Sequence, residues 1–121
     1  MIIEVLPHDF SVCQVKDYTG VDLSQDFVFT GKTDEEYSLV CPTDLVPLQT
    51  LKWEDGWVAM RVVGVLDFSL IGILADIASR LAQAEVSLFA LSTYNTDYIL
   101  IKKEKLEVAM HILGEKYEIK C

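Results

Sequence analysis

Between Trp57 and Lys120 the hydrophobic period switches repeatedly, and the order of the switches restricts the fold more than any other feature of the chain. Trp57–Gly64 (WVAMRVVG) is an almost unbroken apolar run, suited to a strand covered on both faces. From Leu70 the spacing becomes helical. Leu70, Leu74, Ile77, Leu81 and Ala84 share one stripe, Ile73 and Ala78 flank it, and Asp76, Ser79, Arg80 and Gln83 fall elsewhere on the wheel. Two strand-like runs follow, about 86–93 and 97–102, joined by the polar stretch STYNTD. Leu106, Ala109, Met110 and Leu113 make a second helical stripe that Gly114 can stop. Tyr117–Lys120 then alternates like a final edge strand.

The resulting order, β-α-β-β-α-β, is the split arrangement of a ferredoxin-like α+β unit. It occupies residues 57–121. Residues 1–56 read as an incomplete copy. Displacing the chain by 61 residues lays Phe27-Val28-Phe29 on Leu88-Phe89-Ala90, and Glu36–Val40 on Asp97–Ile101, so that two tyrosines coincide. Phe10–Val15 reads as an earlier strand. Lys16–Asp26 shows no helical period, so the first helix of the copy is expected to be missing. Pro42 and Pro47 bracket a stretch that allows a short helical turn at most. Trp53-Glu54-Asp55-Gly56 is the expected turn between the halves.

The net charge of −9 is concentrated in the first half: residues 1–56 hold 11 acidic and 3 basic side chains, against 8 and 7 in residues 57–121. Nucleic acid is therefore disfavoured as a partner, since phosphate binding needs a basic surface. No run of about 18 apolar residues suggests a membrane span, and Met1-Ile2-Ile3-Glu4 has no leader pattern. Cys13, Cys41 and Cys121 form an odd set without a CxxC spacing. Reduced thiols in a cytoplasmic protein are expected, with no disulfide framework and no zinc.

The chemistry-bearing motifs of phosphate loops, dinucleotide-binding turns, nucleophile elbows and zinc proteases are absent from the sequence. His8 and His111 read as ordinary surface or half-buried side chains. Asp67 and Asp97 are a carboxylate pair without a neighbouring nucleophile, so the chain reads as non-enzymatic, with no catalytic residue, no metal ligand and no cofactor. What remains is Asp67-Phe68-Ser69-Leu70-Ile71-Gly72, where the first strand gives way to the first helix. Free N–H groups and the positive helix end at such a junction suit a carboxylate. Asp67 or Ser69 can equally cap the helix. Gly72 falls in the first turn, where a glycine costs about 1 kcal/mol relative to alanine, and this implies a close approach by another group. Asp97, on a strand beside the first one, can hold a cation. An anion site next to a cation site suits a zwitterion such as a free α-amino acid.

At these residues the chain resembles an ACT domain. EEYSLVCP (Glu35–Pro42), VGVLDFSLIGILA (Val63–Ala75) and STYNTDYILIK (Ser92–Lys102) carry the likeness, which extends over about residues 8–113. The whole chain is similar to small bacterial ACT-domain proteins, a tandem ACT-like family related to the animal cytosolic arginine sensors. The resemblance implies an incomplete ACT-like subdomain at 1–56 and an ACT domain at 57–121. It further implies a regulatory protein binding a free small amino acid at an interface between ACT units. Carried over residue by residue, the site is Asp67, Phe68, Ser69, Leu70, Ile71 and Gly72 on one side and Thr93, Asn95, Thr96 and Asp97 on the other. Tyr37, Ser38, Leu39 and Val40 of the first half supply a facing edge. A homodimer is expected, with Ile2–Leu6 and Glu118–Lys120 as the exposed strand edges available for pairing. The competing expectation is a structural or protein-interaction ACT module with no small-molecule ligand.

Overall fold

The computed structural model describes residues 1–63 and 72–121, which form two compact units. One joins Met1–Pro7 to Val58–Cys121; the other is His8–Trp57. The division falls inside two 14-residue strands, β1 (Ile2–Val15) and β4 (Thr50–Val63).

In the first unit β4 is followed by helix α1 (Ile73–Gln83), strands β5 (Phe89–Ser92) and β6 (Asp97–Lys102), helix α2 (Leu106–Leu113) and strand β7 (Glu118–Lys120). The expected β-α-β-β-α-β order is present. The sheet runs β7-β1-β4-β6-β5, with β6 antiparallel to β5 and β7 parallel to β1. Ile2–Leu6 is therefore an interior strand, where the sequence reading made it an exposed edge. Ile3 is fully buried and Leu6 nearly so, while Ile2, Glu4 and Val5 are half-buried.

Alternate residues of three strands, Ile3, Met60 and Val62, Ile99 and Ile101, share a core with Ile77 and Leu81 of α1 and Ala109 and Leu113 of α2. Period 2 on the strands thus meets period 3.6 on the helices. Each fully buried leucine or isoleucine contributes about 1.5–3 kcal/mol. Helix α1 ends on Val86, whose N–H reaches the Leu81 carbonyl at 2.9 Å, while Glu85 N–H reaches Ala82 at 3.0 Å. That closing motif needs a left-handed residue, and Glu85 supplies it at φ 60°.

The second unit contains the rest of β1, strand β2 (Phe29–Lys32), strand β3 (Tyr37–Pro42), a 3₁₀ turn at Thr43–Leu45 and the start of β4. β3 runs between β1 and β2, antiparallel to both. All residues of this unit are described and none is α-helical, as the aperiodic 16–26 stretch implied. Its residues have other partners. Asp17 accepts from the N–H and hydroxyl of Thr19 at 3.0 and 2.6 Å, and Asp22 does the same for Ser24. Such local side-chain turns compete with a helix for the backbone. Tyr18 anchors the loop by donating to the Ser38 carbonyl at 2.8 Å.

Two sequence readings are corrected here. Trp53-Glu54-Asp55-Gly56 is not a turn between halves but part of β4, and only Gly56, at φ 84°, departs from strand geometry. The internal repeat is 60 residues, not 61. Phe29 lies opposite Val40 as Phe89 lies opposite Leu100, and both hairpins close with a threonine turn, Thr33 to Glu36 and Thr93 to Thr96. Aligning the tyrosines introduced a slip of one residue, which would reverse every side chain to the opposite face. Tyr37, not Glu36, is the counterpart of Asp97.

Candidate functional site

The turn between β5 and β6 uses its polar side chains on itself. Ser92 Oγ donates to Asp97 Oδ1 at 2.6 Å. Thr93 donates through both its N–H and its hydroxyl to the Thr96 carbonyl, at 2.8 and 3.0 Å, and its Oγ1 accepts from Thr96 N–H. Thr96 Oγ1 then reaches out of the hairpin to the Val62 carbonyl at 2.6 Å. This last bond places the turn beside the C-terminal end of β4. Asn95 is exposed, and Asp97 is half-buried with one carboxylate oxygen held by Ser92. The arrangement leaves a carboxylate and an amide at the rim of the sheet.

Of the strand-to-helix junction, Asp67, Phe68, Ser69, Leu70 and Ile71 lie outside the described residues. Gly72 is described and its role differs from the one expected. It precedes α1 instead of lying within its first turn, and it occupies the cap position that the sequence reading gave to Asp67 or Ser69. Its φ is 87°, and a Cβ there would meet nothing within 4 Å. The backbone conformation, not a close neighbour, is what asks for glycine.

Gly72 also lines a cleft of about 290 Å³ with Met1, Ile73, Asp76, Lys116 and Tyr117. Asp76 is its electrostatic centre. The carboxylate accepts from the Tyr117 hydroxyl, from Arg80 Nε at 2.9 Å and from Lys116 Nζ at 3.3 Å. The Tyr117 hydroxyl and then Arg80 hold the Asp76 carboxyl down at about 2. Burial, and next the hydrogen bond to Asp76, pushes Tyr117 up to about 12. The sequence reading placed Asp76 only on the polar side of the helix. Its four-residue spacing from Arg80 was a visible signal of pairing; the contribution of Tyr117 from across the chain was not.

Tyr37, Ser38, Leu39 and Val40 lie in the other unit, on β3. Leu39 and Val40 are buried, and β3 pairs on both sides, so it is an interior strand. Tyr37 and Ser38 are half-buried: Tyr37 packs edge-on against Tyr18 at 5.3 Å, and Ser38 Oγ donates to Glu36 at 2.6 Å. Among the described residues no cluster of histidine, cysteine and acidic side chains could hold a metal, and no helix is long and apolar enough to cross a membrane.

A helix-bearing unit with this strand order, closed by a tethered β5–β6 hairpin, is what an ACT sequence requires, and the family model described as ACT domain matches residues 52–115. The chain belongs to the ACT-domain family. The matched span holds α1, α2 and the hairpin. Among relatives, the human protein named cytosolic arginine sensor for mTORC1 subunit 1 is 29% identical over 103 residues, covering 77% of this chain and 31% of that protein. The chain thus spans about a third of the length of such curated relatives. Among solved structures, a protein from Agrobacterium tumefaciens superposes with a TM-score of 0.86 at 23% identity, over 98% of this chain and 90% of that one. The regulatory subunit of aspartate kinase from Thermus thermophilus gives 0.65 at 10% identity, over 96% and 97%. These two likenesses establish the ACT fold. The ferredoxin-like unit read from hydrophobic period alone is the unit present, and relationship to the arginine sensors agrees with the resemblance read from the motifs.

Proposed function

We propose that this chain is a non-enzymatic regulatory protein of the cytoplasm that binds a free small amino acid at an interface between ACT units. The observation that carries the reading is the Thr96–Val62 hydrogen bond, which ties the polar hairpin to the end of the strand that leads into the Asp67–Gly72 junction. Kinship with a protein named as an arginine sensor supports the same reading. The proposed site takes Asp67, Phe68, Ser69, Leu70, Ile71 and Gly72 on one side. Thr93, Asn95, Thr96 and Asp97 stand on the other. In this scheme the free second oxygen sites of Asp97 receive the ligand ammonium, and backbone N–H groups at the start of α1 receive its carboxylate. Regulation follows if the ligand binds one arrangement of the ACT units better than another, because differential affinity is what shifts a conformational equilibrium.

A second reading, an ACT module that serves only protein interaction, has an observation in its favour. Ser92, Thr93 and Thr96 are engaged within the fold, so their presence in the turn does not itself require a ligand. Thermal unfolding with each of the twenty amino acids separates the two. A ligand at 100 times its dissociation constant adds about 2.7 kcal/mol to stability, which is a shift of several degrees for a domain of this size. If none of the twenty moves the transition, the interaction module is the correct reading.

A further inference from the structure

We infer that the second unit holds a binding cavity of its own, for a small organic cation with an apolar body and no carboxylate. The cavity arises where this half lacks its helices. Under the 60-residue repeat, the 3₁₀ turn Thr43–Leu45 falls on another at Lys103–Lys105, which runs straight into α2. In the second unit the chain does not continue as a helix. Val46 is extended, at φ −63° and ψ 124°, as a residue before proline prefers to be. Leu39 and Cys41 correspond to Ile99 and Ile101, which share their core with the two helices. In the second unit Tyr18 and Val21 of one loop, and Leu45 and Val46 of another, cover that face instead. A cavity of about 610 Å³ is lined from the segments 15–20 and 44–49.

Its apolar lining includes Val15, Leu45 and Val46, which belong to or pack on the core of the unit, so this part of the wall is fixed. Pro47 and the fully exposed Leu48 extend the apolar surface. The two segments touch beside the cavity, since a Cβ on Gly20 would stand 3.3 Å from Pro47 Cβ. Small-molecule sites have this character: several hundred cubic ångströms, mostly apolar, with a few polar groups that fix orientation.

The charged lining selects the ligand. Lys16, Asp17 and Asp44 all line the cavity, two carboxylates against one ammonium. The Thr19 hydroxyl and N–H hold the Asp17 carboxyl below its ordinary value, and Lys16 adds to them. Lys16 is thus set against its neighbour Asp17, and Asp44 is the carboxylate that remains for a ligand. The whole unit repeats the imbalance: residues 8–57 carry 10 acidic and 3 basic side chains, so its field draws in cations and repels anions. An ammonium on an apolar body fits both features, the body against Val15, Leu45 and Val46 and the charge at Asp44. A ligand carboxylate would meet net negative charge, which disfavours an α-amino acid here. None of these residues belongs to the proposed amino-acid site, and this inference does not depend on that reading.

Amide chemical shifts of the full chain, titrated with four molecules that share an indole body, test it: tryptamine (cation), tryptophol (neutral), indole-3-propionate (anion) and tryptophan (zwitterion). Tryptamine should give saturable shifts at Val15, Gly20, Leu45 and Val46. Tryptophol should bind about two- to fivefold more weakly, the range for one exposed charge pair, and the two carboxylates more weakly still. Asp44→Asn should weaken tryptamine by the same about two- to fivefold and leave tryptophol unchanged. Lys16→Gln should tighten tryptamine, and added salt should narrow its lead over tryptophol. Circular dichroism checks that both variants fold. Absence of saturable shifts at those amides overturns the inference. So does wild-type tryptamine affinity in Asp44→Asn, weaker tryptamine binding in Lys16→Gln, or tryptophan or indole-3-propionate binding there as tightly as tryptamine.

Discussion

Thr96 Oγ1 donates to the Val62 carbonyl at 2.6 Å, and this bond fastens the β5–β6 turn to the strand that precedes α1. Backbone pairing between β5 and β6 fixes the hairpin internally, from Phe89 opposite Leu100 to Ser92 opposite Asp97. The threonine hydroxyl adds a link from the turn to β4. Any group presented by Asn95 or Asp97 is held relative to the end of β4 by this side chain together with the pairing of β6 to β4.

Thr96→Val keeps the shape and removes the donor. The Val62 carbonyl then loses a partner in a partly buried place, which costs about 1–3 kcal/mol. Thr96→Ser retains the hydroxyl and should lose well under half of that. Urea unfolding of the two variants measures the difference. Equal stabilities for Val and Ser at this position would show that the hydroxyl bond contributes nothing.

Much of the fold was legible because hydrophobic period is a local signal. The α1 stripe Leu74, Ile77 and Leu81 and the α2 stripe Leu106, Ala109, Met110 and Leu113 could be read without knowing their partners. Ile2–Leu6 was misread because its partner, Glu118–Lys120, lies at the opposite end of the chain. Nothing in five residues states that a strand is interior. Trp53–Gly56 was misread for a related reason: Gly56 is a turn signal by composition, yet a left-handed glycine is also tolerated inside a long strand. At the site, Thr93, Asn95 and Thr96 stand out in the sequence, but the hydrogen bonds between Thr93 and Thr96 and from Thr96 to Val62 depend on tertiary placement. The Asp76–Tyr117 bond joins residues far apart in the chain and had no sequence signature.

Left-handed backbone at two non-interchangeable positions gives opposite outcomes. Glu85 closes α1 at φ 60°, where a side chain costs about 1–2 kcal/mol relative to glycine. Part of that gain is offset by the greater freedom of glycine in the unfolded chain, so Glu85→Gly should stabilise by about 0.5–1 kcal/mol. Gly72→Ala should destabilise by about 1–2 kcal/mol, through strain alone, because the added Cβ has open space around it. Differential scanning calorimetry of both variants should show melting temperatures displaced in opposite directions by a few degrees. A fall in the melting temperature of Glu85→Gly would refute the strain argument at that position.

The Asp76–Tyr117 pair predicts two separate pH limits. The Asp76 carboxyl sits at about 2 in the folded chain, below its ordinary value near 4. Its contribution is therefore present above pH 4 and is lost as pH falls from about 4 to 2. Tyr117 sits at about 12, above its ordinary value near 10. Its contribution is present below pH 10 and is lost as pH rises from about 10 to 12. Tyr117→Phe removes the alkaline titration entirely and weakens the acid one, leaving Arg80 and Lys116 on Asp76. Urea midpoints across both windows should show a flatter alkaline limb in the variant. An alkaline limb unchanged from wild type would place that loss of stability on other groups.

The three thiols should differ in reactivity by burial. Cys13 and Cys41 are buried in the second unit, whereas Cys121 is exposed. A thiol reagent added to the native chain should label Cys121 rapidly, and the other two only on the timescale of unfolding, with all three labelled in denaturant. The hydrogen bond between Cys13 and Cys41 lowers the Cys13 thiol and raises that of Cys41, so labelling that reaches the pair without opening the unit should modify Cys13 before Cys41. Mass spectrometry of labelled peptides gives the order. Rapid native labelling of Cys13 would mean that its unit opens far more readily than its packing implies.

Asp97 carries the sharpest test of the proposed ligand site. Its Oδ1 accepts from Ser92 Oγ at 2.6 Å, and Asp97→Asn can preserve that bond through the amide oxygen while removing the charge. The hairpin register, Ser92 opposite Asp97, needs only backbone groups and should persist. Stability should therefore change little. If Asp97 receives the ammonium of an amino acid, the lost charge-assisted bond contributes about 1.5–3 kcal/mol, and affinity should fall at least about tenfold. Ser92→Ala probes the positioning of the same carboxylate without touching its charge, and should weaken binding less than Asp97→Asn does. Isothermal titration of both variants, with whichever amino acid shifts the wild-type melting curve, reads out the two effects separately. Wild-type affinity in Asp97→Asn would move the ammonium site away from this hairpin, while a weaker Asp97→Asn together with an intermediate Ser92→Ala would fix it there.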